Sequence, residues 1–184
     1  MHIGSVAWLI LVEEEYTWGM RNSTLLFLIK KEEGVISDIC LAMKKRGFGK
    51  GRYNGVGGKV EDGETIEDAV RREAEEEIGV KAGPLLKCAE LTFIFPHESS
   101  FDQLVHVYFT DVWQGEIQES EEMAPDWYKV DGIPYQMMWP DDIFWLPKVL
   151  DGNHLRARFV FAEGDVVKEQ QVDIVEDFEQ RSHF

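Results

Sequence analysis

Positive charge is scarce in this chain. Only 19 Lys and Arg stand against 35 Asp and Glu in 184 residues, a formal net charge of −16. A protein so acidic has no basic face with which to grip a nucleic-acid polymer or an anionic membrane, and neither is expected as a partner. Cysteine is almost absent as well. Cys40 and Cys88 stand far apart and match neither a metal spacing nor a paired redox motif, so two buried free thiols are expected. Long apolar runs are missing: the apolar start, residues 6–12, is too short to span a bilayer, lacks a basic leader and a small-residue cleavage site, and runs into Glu13, Glu14 and Glu15. It is expected to add a strand to a cytoplasmic protein. Internal repeats, low-complexity tracts and long Pro/Gly/Ser linkers are also lacking, so the expectation is one domain over residues 1–184, with residues 1–20 as an N-terminal extension.

What is present is a series of short strand-like runs. Residues 24–29, 36–43, 89–95, 104–113, 127–130 and 157–161 are rich in β-branched and aromatic side chains. Two helical stretches interrupt them. The first, 65–78, opens on a capping-box pattern of Thr65 with Asp68, closes on Gly79, and spaces Ile66, Ala69, Val70, Ala74 and Ile78 at helical intervals. The second, 141–150, follows Pro140. Strands in a mixed sheet with helices packed on it make an α/β sandwich, α+β by some schemes.

The negative charge is concentrated. Residues 61–78 hold nine acidic and two basic side chains, a net −7 of the total −16. Glu73, Glu76 and Glu77 fall at i, i+3 and i+4, which puts three carboxylates on one helix face. They repel one another, and they lie in the half of the helix where the dipole also disfavours anions. A solvated acidic face supported by Arg71 and Arg72 is one reading. The other is a hard, oxygen-ligated cation such as Mg²⁺, which commonly takes one or two carboxylates and shares its remaining positions with water and substrate phosphates. The preceding loop favours the cation, because Gly57, Gly58 and Gly63 let backbone amides approach phosphate oxygens.

Gly58, five residues, Glu64, seven residues, then Arg72, Glu73, Ala74, Glu75, Glu76, Glu77, Ile78, Gly79 and Val80 together match a complete Nudix box over residues 58–80. On that string the chain resembles the Nudix hydrolase family. The resemblance implies an α/β/α sandwich around a mixed β-sheet, Mg²⁺ or Mn²⁺ as cofactor, and hydrolysis of a nucleoside diphosphate linked to another group. It makes Glu73, Glu76 and Glu77 metal ligands or activators of the attacking water, the Gly57 carbonyl a further ligand, and Arg72 the group that orients them. Glu64 is expected to brace the loop against the helix. Glu122 resembles a distal family carboxylate that reaches the metals or the water, with a plain acidic loop as the competing reading.

Similarity beyond the box is carried by the runs MKKRGFGKGRYN (43–54), VHV (105–107) and MWPDD (138–142), which resemble the oxidised purine nucleoside triphosphatases within that family. This resemblance implies that Asn54, Asp141 and Asp142 read a base edge, that Trp139 and Phe48 cover its faces, and that Lys44 lines the pocket. Adjacent desolvated aspartates can share one proton, and a protonated Asp donates where an ionised one only accepts. The competing readings are that Asp141 and Asp142 merely cap the second helix and that the aromatic rings are core. Of Phe93 and Phe95, one is expected to face the pocket, with Phe93 preferred; Thr24 is a further candidate. The match lapses at residues 96–104, where Gln103 stands in place of an apolar pocket residue, and a longer loop is expected at 31–38.

The expected partner is a nucleoside triphosphate, bound by a monomer or homodimer, with monophosphate and pyrophosphate as products. A Nudix enzyme for unmodified dNTPs, O6-alkylated dGTP or dinucleotides is the alternative, and a non-catalytic nucleotide sensor is a third reading that the intact glutamate cluster disfavours.

Overall fold

The strand β1 (Arg21–Glu32) is buried without interruption from Ser23 to Ile29, the pattern of a strand covered on both faces. Its side chains divide by parity. Leu25, Phe27 and Ile29 enter one core cluster, while Leu26 and Leu28 enter a second. The computed structural model that shows this describes residues 19–178. The strand expected over residues 6–12 therefore lies outside the described residues.

The even face of β1 is covered by α1 (Ile66–Ile78) through Val70, Ala74 and Ile78. The odd face meets α2 (Asp142–Leu150) through Trp145, Leu146, Val149 and Leu150. A helix on either side of one sheet is the α/β sandwich that the patterning implies. The remaining strands are β2 (Val35–Lys44), β3 (Tyr53–Asn54), β4 (Lys81–Ala82), β5 (Leu86–Ile94), β6 (Gln103–Thr110), β7 (Trp113–Gln114), β8 (Met123–Lys129), β9 (His154–Ala162) and β10 (Val166–Val175). The main sheet runs β10-β9-β5-β6-β1-β2-β3, with β8 also paired to β2, and β4 pairs with β7 apart from it. It is mixed: β1 with β6 and β5 with β9 are parallel, and the other pairs are antiparallel. No helix among the described residues is long and apolar enough to cross a membrane.

The fold corrects several expectations. The longer loop expected at 31–38 is instead a hairpin, since β1 and β2 run on to Glu32 and Val35 and turn through Glu33 (φ 52°) and Gly34 (φ 84°). Two consecutive positive φ values give the turn whose twist matches the flanking strands. The strand expected at 104–113 stops at Thr110, whose hydroxyl donates to the Val112 carbonyl (2.9 Å) and bends the chain into β7. The strand β10 was not expected. It lies at the sheet edge with most side chains in solvent, so no buried apolar face marks it in the sequence. Cys40 and Cys88 are free and buried.

Phe27 is fully buried and its ring meets both Phe109 (6.0 Å) and Trp145 (6.2 Å). Phe27→Ala is expected to cost about 3–5 kcal/mol of unfolding free energy, read as a shift in the urea midpoint at unchanged slope. A loss below about 1 kcal/mol would show that this contact does not hold α2 to the sheet.

Candidate active site

The helix α1 is built by its ends. The Thr65 hydroxyl accepts from the Asp68 amide (3.1 Å), and Gly79, left-handed at φ 74°, closes the C-terminus with its N–H on the Glu75 carbonyl (3.1 Å). The segment before it lies along β1. Leu26 and Val56 exchange backbone hydrogen bonds (2.7 and 3.0 Å), and the Thr24 amide donates to the Gly58 carbonyl (2.8 Å). Glycine is required at Gly57 by proximity, because a Cβ there would collide with the Thr24 carbonyl; a Cβ at Gly58 would displace the Glu73 carboxylate.

That approach binds loop to helix. The Gly57 amide donates to Glu77 Oε2 (2.9 Å). Arg72 forks onto Glu64, Nε to Oε1 (2.9 Å) and Nη2 to Oε2 (3.0 Å), while its Nη1 donates to Glu73 Oε1 (2.8 Å) and Glu76 Oε2 (3.2 Å). Arg72 thus joins Glu64 at the loop to Glu73 and Glu76 on the helix. Hydrogen bonds from Arg72 hold the Glu64 carboxyl below its usual range. Glu77 is 6% exposed, and burial pushes its carboxyl up to about 7, against the pull of the Gly57 amide and Lys44.

Glu122 faces this helix. It shares a cavity of about 350 Å³ with Glu73, Glu76 and Glu77, held by Arg46 Nη2 donating to its Oε1 (2.6 Å). Lys44 stands between the two sides, its Nζ 3.9 Å from Glu77 Oε1 and 3.9 Å from Glu122 Oε2. The carboxylates expected to bind metal therefore border one cavity, but they do not converge. Among the described residues no three Asp, Glu, His or Cys side chains come together as a ready set of metal ligands. The physical reason is visible in their partners: Glu73 and Glu76 lean on Arg72, Glu77 on Gly57, and Glu122 on Arg46.

A second cavity, about 600 Å³, opens on the other side of Lys44, Arg46 and Glu122. Asn54, Trp139, Asp141, Asp142, Phe48, Phe93 and Thr24 all border it, as do Lys44 and Gly57. Asp141 and Asp142 are almost fully buried, at 3% and 2% exposure. Asp141 makes no side-chain cap bond to the helix; its Oδ2 accepts from Trp145 Nε1 (3.1 Å). Asp142 Oδ2 accepts from the Trp139 amide (2.9 Å). Capping alone does not describe this pair. Burial raises Asp141 from its ordinary 3.8 to about 7 and holds Asp142 well above 3.8, the second pushed further by the charge of the first. Asn54 Oδ1 accepts from the Gly55 amide (2.8 Å), which leaves its NH₂ group as a donor.

The aromatic walls differ from expectation in two ways. Phe93 and Phe95 both line the cavity, because residues two apart in extended chain share a face and Phe95 follows directly on β5; Phe95 stacks on Phe161 at 4.9 Å. Phe48 does not stand opposite Trp139. Its ring lies against Trp139 (4.9 Å) and Phe101 (4.7 Å), apolar contact drawing the loop tip inward, so no base-wide gap separates Phe48 from Trp139. Thr24 turns its side chain to the glycine loop, with its hydroxyl donating to the Gly58 carbonyl (3.4 Å).

Trp145 and Phe101 at the wall escaped sequence reasoning, as did the contact of Arg52, part of the basic run 44–52, with Trp139. Trp145 stands four residues after Asp141, a helical spacing that could have paired them. Arg52 packs on Trp139: its guanidinium lies 4.6 Å from the ring centroid, and it donates to the Met138 carbonyl (2.9 Å) and Asp165 (3.0 Å). Phe101 sits on a short 3-10 turn, Ser99–Phe101, and carries no signal of its own.

The NUDIX domain matches residues 20–149, and the chain belongs to the Nudix family. Among curated relatives it is 45% identical to the oxidized purine nucleoside triphosphate hydrolase of Danio rerio, covering 76% of this chain and 88% of that protein. The mouse (Mus musculus) protein of the same name is 41% identical over 76% of this chain and 89% of its own length. Among solved structures, the MutT protein of Bacillus halodurans superposes with a TM-score of 0.73 at 21% identity, covering 84% of this chain and 98% of that one, and shares the fold.

The raised Asp141 carboxyl has a consequence for stability. The folded state holds a proton more tightly than the unfolded chain between about pH 4 and 7, so stability is greatest below that window and falls as pH rises through it. Asp141→Asn, which cannot ionise, is expected to melt at a higher temperature relative to wild type at pH 8 than at pH 5. Equal differences at the two pH values would refute the buried, protonated state.

Proposed function

We propose that this protein hydrolyses oxidised purine nucleoside triphosphates, such as 8-oxo-dGTP and 2-oxo-dATP, to the monophosphate and pyrophosphate, and so clears damaged nucleotides from the cytoplasmic pool. The observation that carries the reading is the meeting of two unlike cavities at Arg46 and Glu122. One is acidic and bordered by the box glutamates; the other is largely aromatic and ends in the buried Asp141–Asp142 pair. The names of the vertebrate relatives support it.

The acidic residues fit Mg²⁺, with Mn²⁺ as a substitute. The side-chain oxygens at the cavity, five glutamate carboxylates and the Ser120 hydroxyl, are all hard donors, and Gly57 and Gly58 bring backbone to within contact of Glu77 and Glu73. Glu73, Glu76, Glu77 and Glu122, with the Gly57 carbonyl, would hold the ion. When bound, it would neutralise charge on the transferring phosphoryl group and make a water more acidic. The chain supplies the rest. Arg72 keeps Glu73 and Glu76 aimed at the cavity, and Lys44 brings a positive charge to the junction where phosphates would pass. A box glutamate, Glu77 in this reading, accepts the proton of the attacking water.

In the other cavity the aspartates read the base. A pair that holds one proton presents a donor beside an acceptor, and relocating that proton adapts the pair to different purine edges. Asn54 adds the NH₂ donor, and Trp139, fixed by Arg52, supplies an apolar wall.

The deciding measurement is the initial rate of pyrophosphate release with Mg²⁺ over normal and oxidised nucleotides. Preferential turnover of 8-oxo-dGTP over dGTP is expected, and equal turnover would favour a broader Nudix pyrophosphatase. Glu76→Gln and Glu77→Gln are each expected to lower kcat by about a hundredfold or more at unchanged melting temperature. Normal rates in both would overturn the chemistry. Asp141→Asn and Asp142→Asn are expected to change the ratio of kcat/KM for 8-oxo-dGTP against 2-oxo-dATP, and an unchanged ratio in both would remove the aspartates from base recognition.

A further inference from the structure

The tip of the β9–β10 hairpin is tied to the base cavity although it does not border it. Ala162 and Val166 are register partners, so the turn between them is residues 163–165, with left-handed backbone at Gly164 (φ 77°) and Asp165 (φ 60°). Glycine suits such a position best, and an aspartate there is uncommon. The carboxylate has a partner far along the chain. Asp165 Oδ2 accepts from Arg52 Nη2 at 3.0 Å across 113 residues of sequence.

The backbone of Arg52 is fixed, its N–H on the Gly49 carbonyl (3.0 Å) and its carbonyl accepting from the Lys44 amide (2.9 Å). Its guanidinium packs on the Trp139 ring and gives Nη1 to the Met138 carbonyl (2.9 Å). The peptide unit between Met138 and Trp139 is therefore gripped from both sides, its carbonyl by Arg52 and its N–H by Asp142 Oδ2 (2.9 Å). A planar guanidinium meets two acceptors together in a narrow range of orientations, and Asp165 supplies the second acceptor. With that acceptor gone, the group can turn about its remaining hydrogen bond. The two side chains are 30% and 41% exposed, so the pair adds little to stability; what it fixes is direction.

We propose that Asp165 is a positioning residue for base binding, acting through Arg52 to set the tilt of Trp139 and the peptide unit that anchors Asp142. This rests on the nucleotide reading of the cavity. Asp165 does not line that cavity, whereas Arg52, Trp139, Asp141 and Asp142 do, so its influence reaches a base only through them. A wall held at one tilt lets a flat purine lie against it while the purine edge meets the aspartates. Loosening the wall weakens the grip on the base. The phosphoryl chemistry, in the acidic cavity, is left as it was.

Asp165→Gly suits the turn and removes the carboxylate. It is expected to raise KM for 8-oxo-dGTP about threefold, the scale of a part-exposed ion pair, with kcat and melting temperature little changed. Asp165→Asn keeps an oxygen acceptor and is expected to fall between the two. Arg52→Met is expected to raise KM at least as much, and adding Asp165→Gly to it changes KM no further, because the two residues act as one unit. Arg52→Lys, which keeps the charge without the fork, serves if Arg52→Met does not fold. The Trp139 indole N–H signal, identified in two-dimensional NMR by its loss in Trp139→Phe, is expected to shift in Asp165→Gly. The signals of Trp113 and Trp127, packed against the other core cluster, stay in place. An unmoved Trp139 signal, an unchanged KM in Asp165→Gly, or KM increases that multiply in the double variant each overturn the proposal. A wild type that turns over no nucleotide sinks the function reading instead, and the indole signal then still decides whether Asp165 positions Trp139.

Discussion

The segment from Asn54 to Gly58 lies against β1 at backbone distance, and both cavities depend on that contact. On one side it delivers the Gly57 amide to Glu77 and brings Gly58 against Glu73. On the other it sets Asn54 in the wall of the aromatic cavity. Any side chain at Gly57 would force the segment off Thr24, and the geometry of two sites would be lost together. Because β1 is covered on both faces, it gives this segment a rigid edge to lie on.

Electrostatics in this acidic chain are organised by a few cations placed where they touch several anions. Arg72 satisfies Glu64, Glu73 and Glu76 from one guanidinium, a planar fork that a lysine could not reproduce. Lys44 does similar work across the gap, lying between Glu122 and the helix's Glu77, while Arg46 pairs with Glu121 and Glu122 on the loop side. The acidic helix is thus restrained by pairing in the protein itself, which explains why its glutamates border one cavity without pointing to one centre. The aspartate pair follows the opposite logic. It has no salt-bridge partner of its own among the described residues, so burial favours protons there.

The parts of this structure legible in the sequence are those set by local rules. The helix α1 was readable at both ends because Thr65, Asp68 and Gly79 act on their own neighbours. The box residues were readable because a single helix and its entry loop hold nearly all of them. What could not be read arises from contacts between distant segments. The anchoring of Asp141 by Trp145, the clamp of Arg52 on Trp139, and the collapse of Phe48 onto Phe101 leave no periodic trace. The strand β10 was missed for a different reason: an exposed edge strand has no face whose burial imposes alternation.

That edge bears on how the protein behaves in concentrated solution. Among the described residues β10 ends the sheet, with Val166 and Ile174 turned outward, and its unpaired backbone is a template for another chain. A register shift between Val167 and Glu169, together with Lys168, Glu169 and Asp173, spoils that template. The protection is largely ionic. Towards the isoelectric point near pH 4.6 the carboxylates lose charge and mutual repulsion between molecules fades, so colloidal stability belongs to neutral and alkaline buffers.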